Sequence, residues 1–326
     1  MGADGRSRRP WRRARRARAA TGAVDLSVRV GSVDLVAPVM TASGTAGHGD
    51  ELAAYVDLST IGAVVVKSLG SGPWPGNPAP RVHPTPSGMI NSVGLQGPGV
   101  AAWREHELPA VLATGATVVA SIWGRQVADF AAAAEQLVGV DPRVVAVEVN
   151  LSCPNLDGGS HLFAHDPAAT AEVLRAVAGV GLPMWAKLSA NTDRVVEVAS
   201  AAQEAGAEAV TLANTMLGMV IDVEARRPVL GGGGGGVSGP AIHPIAVRTV
   251  YDCHAALPEL PIVGVGGVVD GRSAVELMLA GASAVQVGTA SFADPRSVAV
   301  VRDGVGTWCA RAGVSRVRDL IGGAHG

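Results

Sequence analysis

The sequence predicts an α/β chain folded as a (β/α)8 TIM barrel with loop insertions over its C-terminal face. Three observations carry that expectation. Eight short, apolar, β-rich runs recur along the 326 residues. Helical or loop segments alternate with them, which is the pattern of a parallel sheet with crossover helices. Polar side chains collect where the runs end, and the C-terminal ends of the strands form the active face of such a barrel. A doubly wound open sheet is the competing arrangement, but eight strands without a strand-borne dinucleotide fingerprint disfavour it.

The strand candidates, in order, are residues 35–41, 63–68, 117–123, 144–151, 183–188, 209–214, 261–265 and 284–287. The fourth is the clearest. Val144-Val145-Ala146-Val147-Glu148-Val149 is short, apolar and β-branched, as a strand buried on both faces must be, and Pro154 stops it. Between the fifth and sixth strands, residues 193–205 place Val195, Val196, Val198, Ala199 and Ala202 at helical spacing, with Asn191 or Thr192 as N-cap and Gly206 just past the end. Residues 273–280, closed by Gly281, do the same before the eighth strand. Two insertions break the alternation. Residues 69–100 hold seven prolines and seven glycines, too long a stretch for an ordinary βα turn, and long ordered loops usually serve function. Residues 216–238 include the glycine run 231–236, which reads as a flexible connector because no strand directly precedes it and no P-loop lysine follows.

Hydrophobic residues make up 48% of the chain and aromatic residues 3%, so Ala, Val, Leu and Gly must fill the core. The domain reading is an Arg-rich disordered extension over 1–22 and one barrel domain over 23–326. The extension carries eight arginines against Asp4, a local +7; the whole chain carries −2, so the remainder is −9. The arm lacks the apolar core of a signal peptide and has Trp11 as its one aromatic, so no nucleic-acid partner is expected. No run is long enough to span a membrane, and no membrane association is expected. Cys153, Cys253 and Cys309 lack metal-ligand spacing and are too few for a disulfide framework, which points to the reducing cytoplasm and to no metal site.

The chemistry concentrates in Glu148-Val149-Asn150-Leu151-Ser152-Cys153-Pro154-Asn155, where a buried strand empties into a loop. A lone cysteine is most often a small buried hydrophobe. Here, however, Asn150 and Asn155 flank it, and amides of that kind are costly to bury without a partner. The other strand ends carry Ala42-Ser43-Gly44, Lys67-Ser68, Lys187, Asn214-Thr215, Gly266-Gly267 and Gly288-Thr289. Two lysines at the ends of apolar strands require an anion or strong acceptors. Glycines on the last two strands lie where many barrels bind phosphate. The set suggests a phosphate-bearing cofactor, a polar planar substrate and a thiol as proton acceptor, with Glu148 as an alternative base set deeper in the barrel. Neither a hydrolase nucleophile elbow nor a zinc ligand cluster is present in the sequence.

These residues resemble those of the dihydroorotate dehydrogenases, FMN enzymes of pyrimidine synthesis, over roughly residues 25–300. The resemblance rests on Ala42-Ser43-Gly44-Thr45, Lys67-Ser68, Gly76-Asn77-Pro78 with Pro80-Arg81, Asn91-Ser92-Val93-Gly94-Leu95, Asn150-Leu151-Ser152-Cys153-Pro154-Asn155, Lys187-Leu188-Ser189, Asn214-Thr215, Ser238-Gly239-Pro240, Gly266-Gly267 and Gly288-Thr289. Cysteine in the fourth-strand motif marks the cytosolic class. Leu217-Gly218-Met219, Ile221-Asp222 and Arg227-Pro228-Val229-Leu230 are most similar to the NAD-linked catalytic subunit.

The resemblance implies FMN held by Ala42, Ser43, Lys67, Ser68, Asn150, Lys187, Gly239, Gly266, Gly267, Gly288 and Thr289. It implies substrate held by Lys67, Asn91, Gly94, Leu95, Asn150, Asn155, Asn214 and Thr215. Cys153 would take the C5 proton of dihydroorotate while C6 passes hydride to FMN, with Lys67 and Lys187 as the catalytic cations. The implied partners are dihydroorotate and orotate, an electron-transfer subunit carrying FAD and a [2Fe-2S] cluster, and a second copy in a homodimeric core.

Gly97, Ala190 and His243 depart from the residues common in the family at those positions. An alternative within the same fold is a dihydropyrimidine dehydrogenase-like flavin barrel, against which Asn155 next to Pro154 favours orotate. A barrel without catalysis, serving as a binding protein, would carry no FMN.

Overall fold

In the computed structural model, residues 24–152 and 162–326 are described. The extension 1–22, Cys153 and Asn155 lie outside the described residues. Eight parallel strands form one sheet: β1 (Val39–Thr41), β2 (Val64–Val65), β3 (Val118–Ile122), β4 (Val144–Asn150), β5 (Met184–Lys187), β6 (Ala209–Leu212), β7 (Ile262–Val265) and β8 (Ala282–Val287). Their spatial order is β1-β8-β7-β6-β5-β4-β3-β2, so each strand lies beside its neighbour in sequence. The remaining seam, between β1 and β2, is stitched by Gly62 N–H to Val39 O (2.8 Å), Thr41 N–H to Ala63 O (3.2 Å) and Val65 N–H to the Thr41 hydroxyl oxygen (2.8 Å). Closure has a further signature. Gln286 on β8 donates through Nε2 to Glu148 on β4 at 2.7 Å, and strands four places apart in the sheet can meet only across a closed interior. The chain is a (β/α)8 barrel.

The strands are buried along their length, which explains why they read as continuous apolar runs rather than alternating ones. Around them pack the helices α1 (Val127–Glu135), α2 (Pro167–Val177), α3 (Val195–Glu204), α4 (His243–Ala256), α5 (Gly271–Leu279) and α6 (Ser297–Ala312). With aromatics scarce, a few large groups anchor the helix layer. Trp103 and Trp185 are fully buried, and Phe130 meets Phe163 edge-on at 5.4 Å; a fully buried side chain of that kind contributes roughly 1.5–3 kcal/mol.

Three local expectations change. The first strand is shorter than 35–41, because Val28–Val30 and Val33–Leu35 form a separate antiparallel hairpin and Pro38, unable to donate to a ladder, intervenes. Neither Asn191 nor Thr192 caps α3. That helix starts at Val195 with Arg194 in the cap position and no side-chain cap bond, while the Asn191 amide donates to Ser189 Oγ and Thr215 O and accepts from Leu217 N.

The glycine run is not a flexible connector. Gly235–Ser238 is an inner strand of a four-stranded antiparallel sheet whose order is Met216–Gly218, Gly235–Ser238, Gly88–Asn91, Val82–Thr85. The two insertions therefore pair with each other. Three glycines of the run are set by close approach: a Cβ would lie 2.4 Å from Pro78 O at Gly231, 2.4 Å from Asn91 O at Gly235 and 2.0 Å from Thr215 Oγ1 at Gly236.

Candidate active site

A cavity of about 830 Å³ opens at the C-terminal ends of the strands, walled on one side by the four-stranded sheet. The interior beneath it is polar. Glu148 is fully buried, its Oε2 accepting from Gln286 Nε2 (2.7 Å) and Thr211 Oγ1 (3.1 Å), while Lys187 Nζ lies 3.5 Å from Oε1. Side chains two residues apart on a strand share a face, so Asn150 stands one layer above Glu148 and reaches the cavity. Glu148 does not line it.

At that upper level a chain of hydroxyls and amides crosses the strand ends. Ser43 and Ser68 share a hydrogen bond at 3.1 Å, Ser68 and Ser121 at 2.9 Å, Asn150 Nδ2 donates to Ser68 Oγ at 3.2 Å and Asn214 Nδ2 to Asn150 Oδ1 at 3.3 Å. Opposite them, Thr289 donates to Ser238 Oγ at 2.7 Å, tying the end of β8 to the sheet over the mouth. The glycine turn after β7 is held from behind, where His243 Nδ1 lies 2.7 Å from Gly266 O and Nε2 lies 3.4 Å from Glu276.

The outer wall is built from residues 74–97. Arg81 bonds the carbonyls of Asn77 (2.6 Å) and Pro75 (3.0 Å) and the Gln96 amide oxygen, and the Trp74 indole donates to Gly94 O at 2.9 Å. Leu95 adopts φ +64°, a conformation that costs a non-glycine residue about 1 kcal/mol or more and tends to be kept at binding sites.

Sixteen of the expected site residues fall in the described part, and all of them line this cavity: Ala42, Ser43, Lys67, Ser68, Asn150 and Lys187; Gly239, Gly266, Gly267, Gly288 and Thr289; Asn91, Gly94, Leu95, Asn214 and Thr215. Cys153 and Asn155 cannot be placed, being outside the described residues. The sequence reading missed Trp74, Arg125, Asn191 and Ser238, which also line the wall. Trp74 lies inside the insertion 69–100, whose length marks it as functional, whereas Ser238 ends the insertion 216–238, whose glycine run reads as a flexible connector. Arg125 follows a strand end by only a few residues, a signal that was available.

The other two cysteines are poor candidates for chemistry. Burial pushes the Cys253 thiol up to about 12 and raises that of Cys309, so neither supplies a thiolate.

A sequence model of dihydroorotate dehydrogenase matches residues 25–308. The chain belongs to the dihydroorotate dehydrogenase family. It is 44% identical over 302 residues to the catalytic subunit of dihydroorotate dehydrogenase B (NAD(+)) of Geotalea uraniireducens, covering 92% of this chain and 98% of that one. The corresponding subunit of Desulforudis audaxviator is 46% identical over 303 residues, covering 93% and 98%. That of Trichlorobacter lovleyi is 43% identical over 302 residues, covering 92% and 99%.

Catalytic subunits of dihydroorotate dehydrogenases bind FMN, and the donor set of this cavity fits such a group. Its ionisable lining side chains, among the described residues, are Lys67, Lys187 and Arg125, with no carboxylate. The backbone N–H groups of Gly267, Gly288 and Thr289 have no acceptor among the described residues, as a phosphate cradle requires.

Proposed function

We propose that this chain is the catalytic subunit that oxidises (S)-dihydroorotate to orotate in pyrimidine biosynthesis. The observation that carries the reading is the charge of the cavity, three cations and no carboxylate among the described residues in a chain whose body is acidic. Such a site favours a ligand set with negative charge at both ends, a phosphate and a carboxylate.

When bound, FMN supplies the two-electron acceptor for the hydride leaving C6. Gly267, Gly288 and Thr289 would offer N–H groups to its phosphate, with Gly239 and Gly266 shaping the turn, and Ala42, Ser43, Ser68 and Asn150 would lie along its ring system. Lys187, fixed beside Glu148, would meet negative charge developing beside it without reorganisation. On the substrate side, Asn91, Asn150, Asn155 and Asn214 would satisfy the pyrimidine amides, Gly94, Leu95 and Thr215 would close around them, and Lys67 would take the carboxylate. Cys153, next in sequence to the cavity-lining Ser152, would remove the C5 proton. A thiol near its ordinary value of about 8.5 is a workable base slightly above neutrality.

Electrons would leave through a separate electron-transfer subunit bearing FAD and a [2Fe-2S] cluster, since the curated relatives are each named as one subunit of an NAD(+)-linked enzyme. A cytoplasmic location and a homodimeric core complete the reading. No helix among the described residues is long and apolar enough to cross a membrane.

The test is the spectrum of the purified protein. A flavin band that bleaches anaerobically on addition of dihydroorotate is the expected result, and a colourless protein, or a flavin that dihydroorotate leaves oxidised, would refute it.

A further inference from the structure

The three cations of the cavity wall are not equivalent. Lys187 is buried and engaged with Glu148 at 3.5 Å. Lys67 sits in the throat, its stem packed beside Gly44. Arg125 is different: it lies in the loop that follows β3, half-buried, with its guanidinium carbon 5.0 Å over the ring of Trp74. Among the described residues its guanidinium has no carboxylate partner. The Asp129 carboxylate instead accepts the backbone N–H groups of Arg125 (2.9 Å) and Gln126 (3.1 Å), which fixes the loop and leaves the side chain uncommitted.

Trp74 is itself fixed. Its indole N–H is spent on Gly94 O at 2.9 Å and its ring meets Trp123 edge-on at 5.9 Å. The cation is therefore mounted on a rigid platform, one side chain away from the Gly94–Leu95 backbone that the proposed function assigns to the substrate. A guanidinium over an aromatic face is held in place by cation–π attraction while it can still offer in-plane N–H groups. Those N–H groups match the two oxygens of a carboxylate.

We propose that Arg125, carried on Trp74, is a specificity-determining residue that receives the carboxylate of the pyrimidine ligand at the outer wall of the cavity. This rests on the reading of the cavity as the dihydroorotate site and names a part of that site which the family resemblance did not. Lys67 holds the carboxylate of the seated substrate; Arg125 recruits it and slows its departure. A pyrimidine without the carboxylate gains nothing from it. The physical case is preorganisation: the guanidinium is ordered before the ligand comes, so little side-chain entropy is lost on capture, and the half-buried setting weakens screening relative to an exposed arginine.

The test uses the FMN-loaded protein, with orotate binding followed by the change in flavin absorbance at low and at high salt. Arg125→Gln is expected to weaken orotate about tenfold, the size of one well-placed charge-assisted contact, and to flatten the salt dependence. The loss in turnover should fall mainly on KM for dihydroorotate. Arg125→Lys should recover a large part of the binding, and flavin content should match the unaltered protein in both variants. An unchanged orotate affinity and salt slope in Arg125→Gln would overturn the proposal. So would equal losses in both variants accompanied by loss of FMN, which would make the arginine structural. If the unaltered FMN-loaded protein showed no response to orotate at all, the reading of the cavity would fail first and this assignment with it.

Discussion

The Lys187 ammonium lies 3.5 Å from the Glu148 carboxylate, and both side chains are buried inside the barrel. Gln286 and Thr211 hold the far oxygen of that carboxylate, so four strands contribute to fixing one ammonium group at the floor of the cavity. A buried ion pair adds little net stability over a well-packed apolar replacement, but removing one partner strands the other.

Glu148→Ala should therefore cost about 3–5 kcal/mol of stability, as expected when a buried charge loses its partner, and Lys187→Ala a comparable amount. The two should differ in chemistry: Lys187→Ala is expected to impair both FMN retention and reduction by dihydroorotate. Denaturant midpoints measured beside anaerobic bleaching separate these effects. Normal bleaching in Lys187→Ala would remove the lysine from the proposed mechanism.

Cys153→Ser is expected to keep FMN and to slow its reduction by about 10²-fold or more, the scale of losing a general base. Because burial raises Cys253 and Cys309, brief alkylation of the folded protein should label Cys153 alone. Stopped-flow reduction and peptide mapping check the two halves. Reduction at the unaltered rate in the serine variant would return the base role to another group.

Deleting residues 1–22 should leave flavin content and turnover unchanged, since the Arg-rich stretch has no core-forming periodicity. A truncated protein that loses flavin or unfolds early would make the arm structural.

Purified alone, the chain should pass electrons to artificial dyes or oxygen and not to NAD, because it has neither a dinucleotide fingerprint nor iron–sulfur cysteine spacing. NAD reduction should emerge when an electron-transfer subunit is added. Robust NAD reduction by the isolated chain would contradict the two-subunit reading.

His48 supplies a pH dependence. Its imidazole is held below the ordinary value of 6.5, first by burial and then by Lys67, against the opposing pull of Glu107 and Glu51. The unfolded chain therefore takes up the proton before the folded one does. Stability from this group is present above about pH 6.5, the ordinary histidine value, and is lost as pH falls below it towards the folded-state value. Thermal midpoints should drop through that window, and His48→Gln should flatten the drop.

Much of this protein is legible in its sequence because the relevant signals are local. Each of the eight predicted runs overlaps a strand of the barrel, since a buried parallel strand must be an uninterrupted apolar run. The cavity residues could be gathered from the strand ends for a related reason: closing the barrel brings all C-terminal ends to one face, so order along the chain becomes position around a rim.

What depends on contacts between distant residues was decided only by the tertiary structure. The glycine run had no local meaning, and its role emerges when Gly235–Ser238 pairs with Gly88–Asn91, where a Cβ at Gly235 would lie 2.4 Å from Asn91 O. Asn191 satisfied the local rule for a helix cap, yet its amide is better served by the Thr215 carbonyl and the Leu217 N–H, groups more than twenty positions away. The same holds for Gln286 reaching Glu148 across the interior and for Arg125 resting on Trp74. Periodicity and capping rules act over a few residues, whereas these partnerships are set by which surfaces remain to be paired once the barrel has closed.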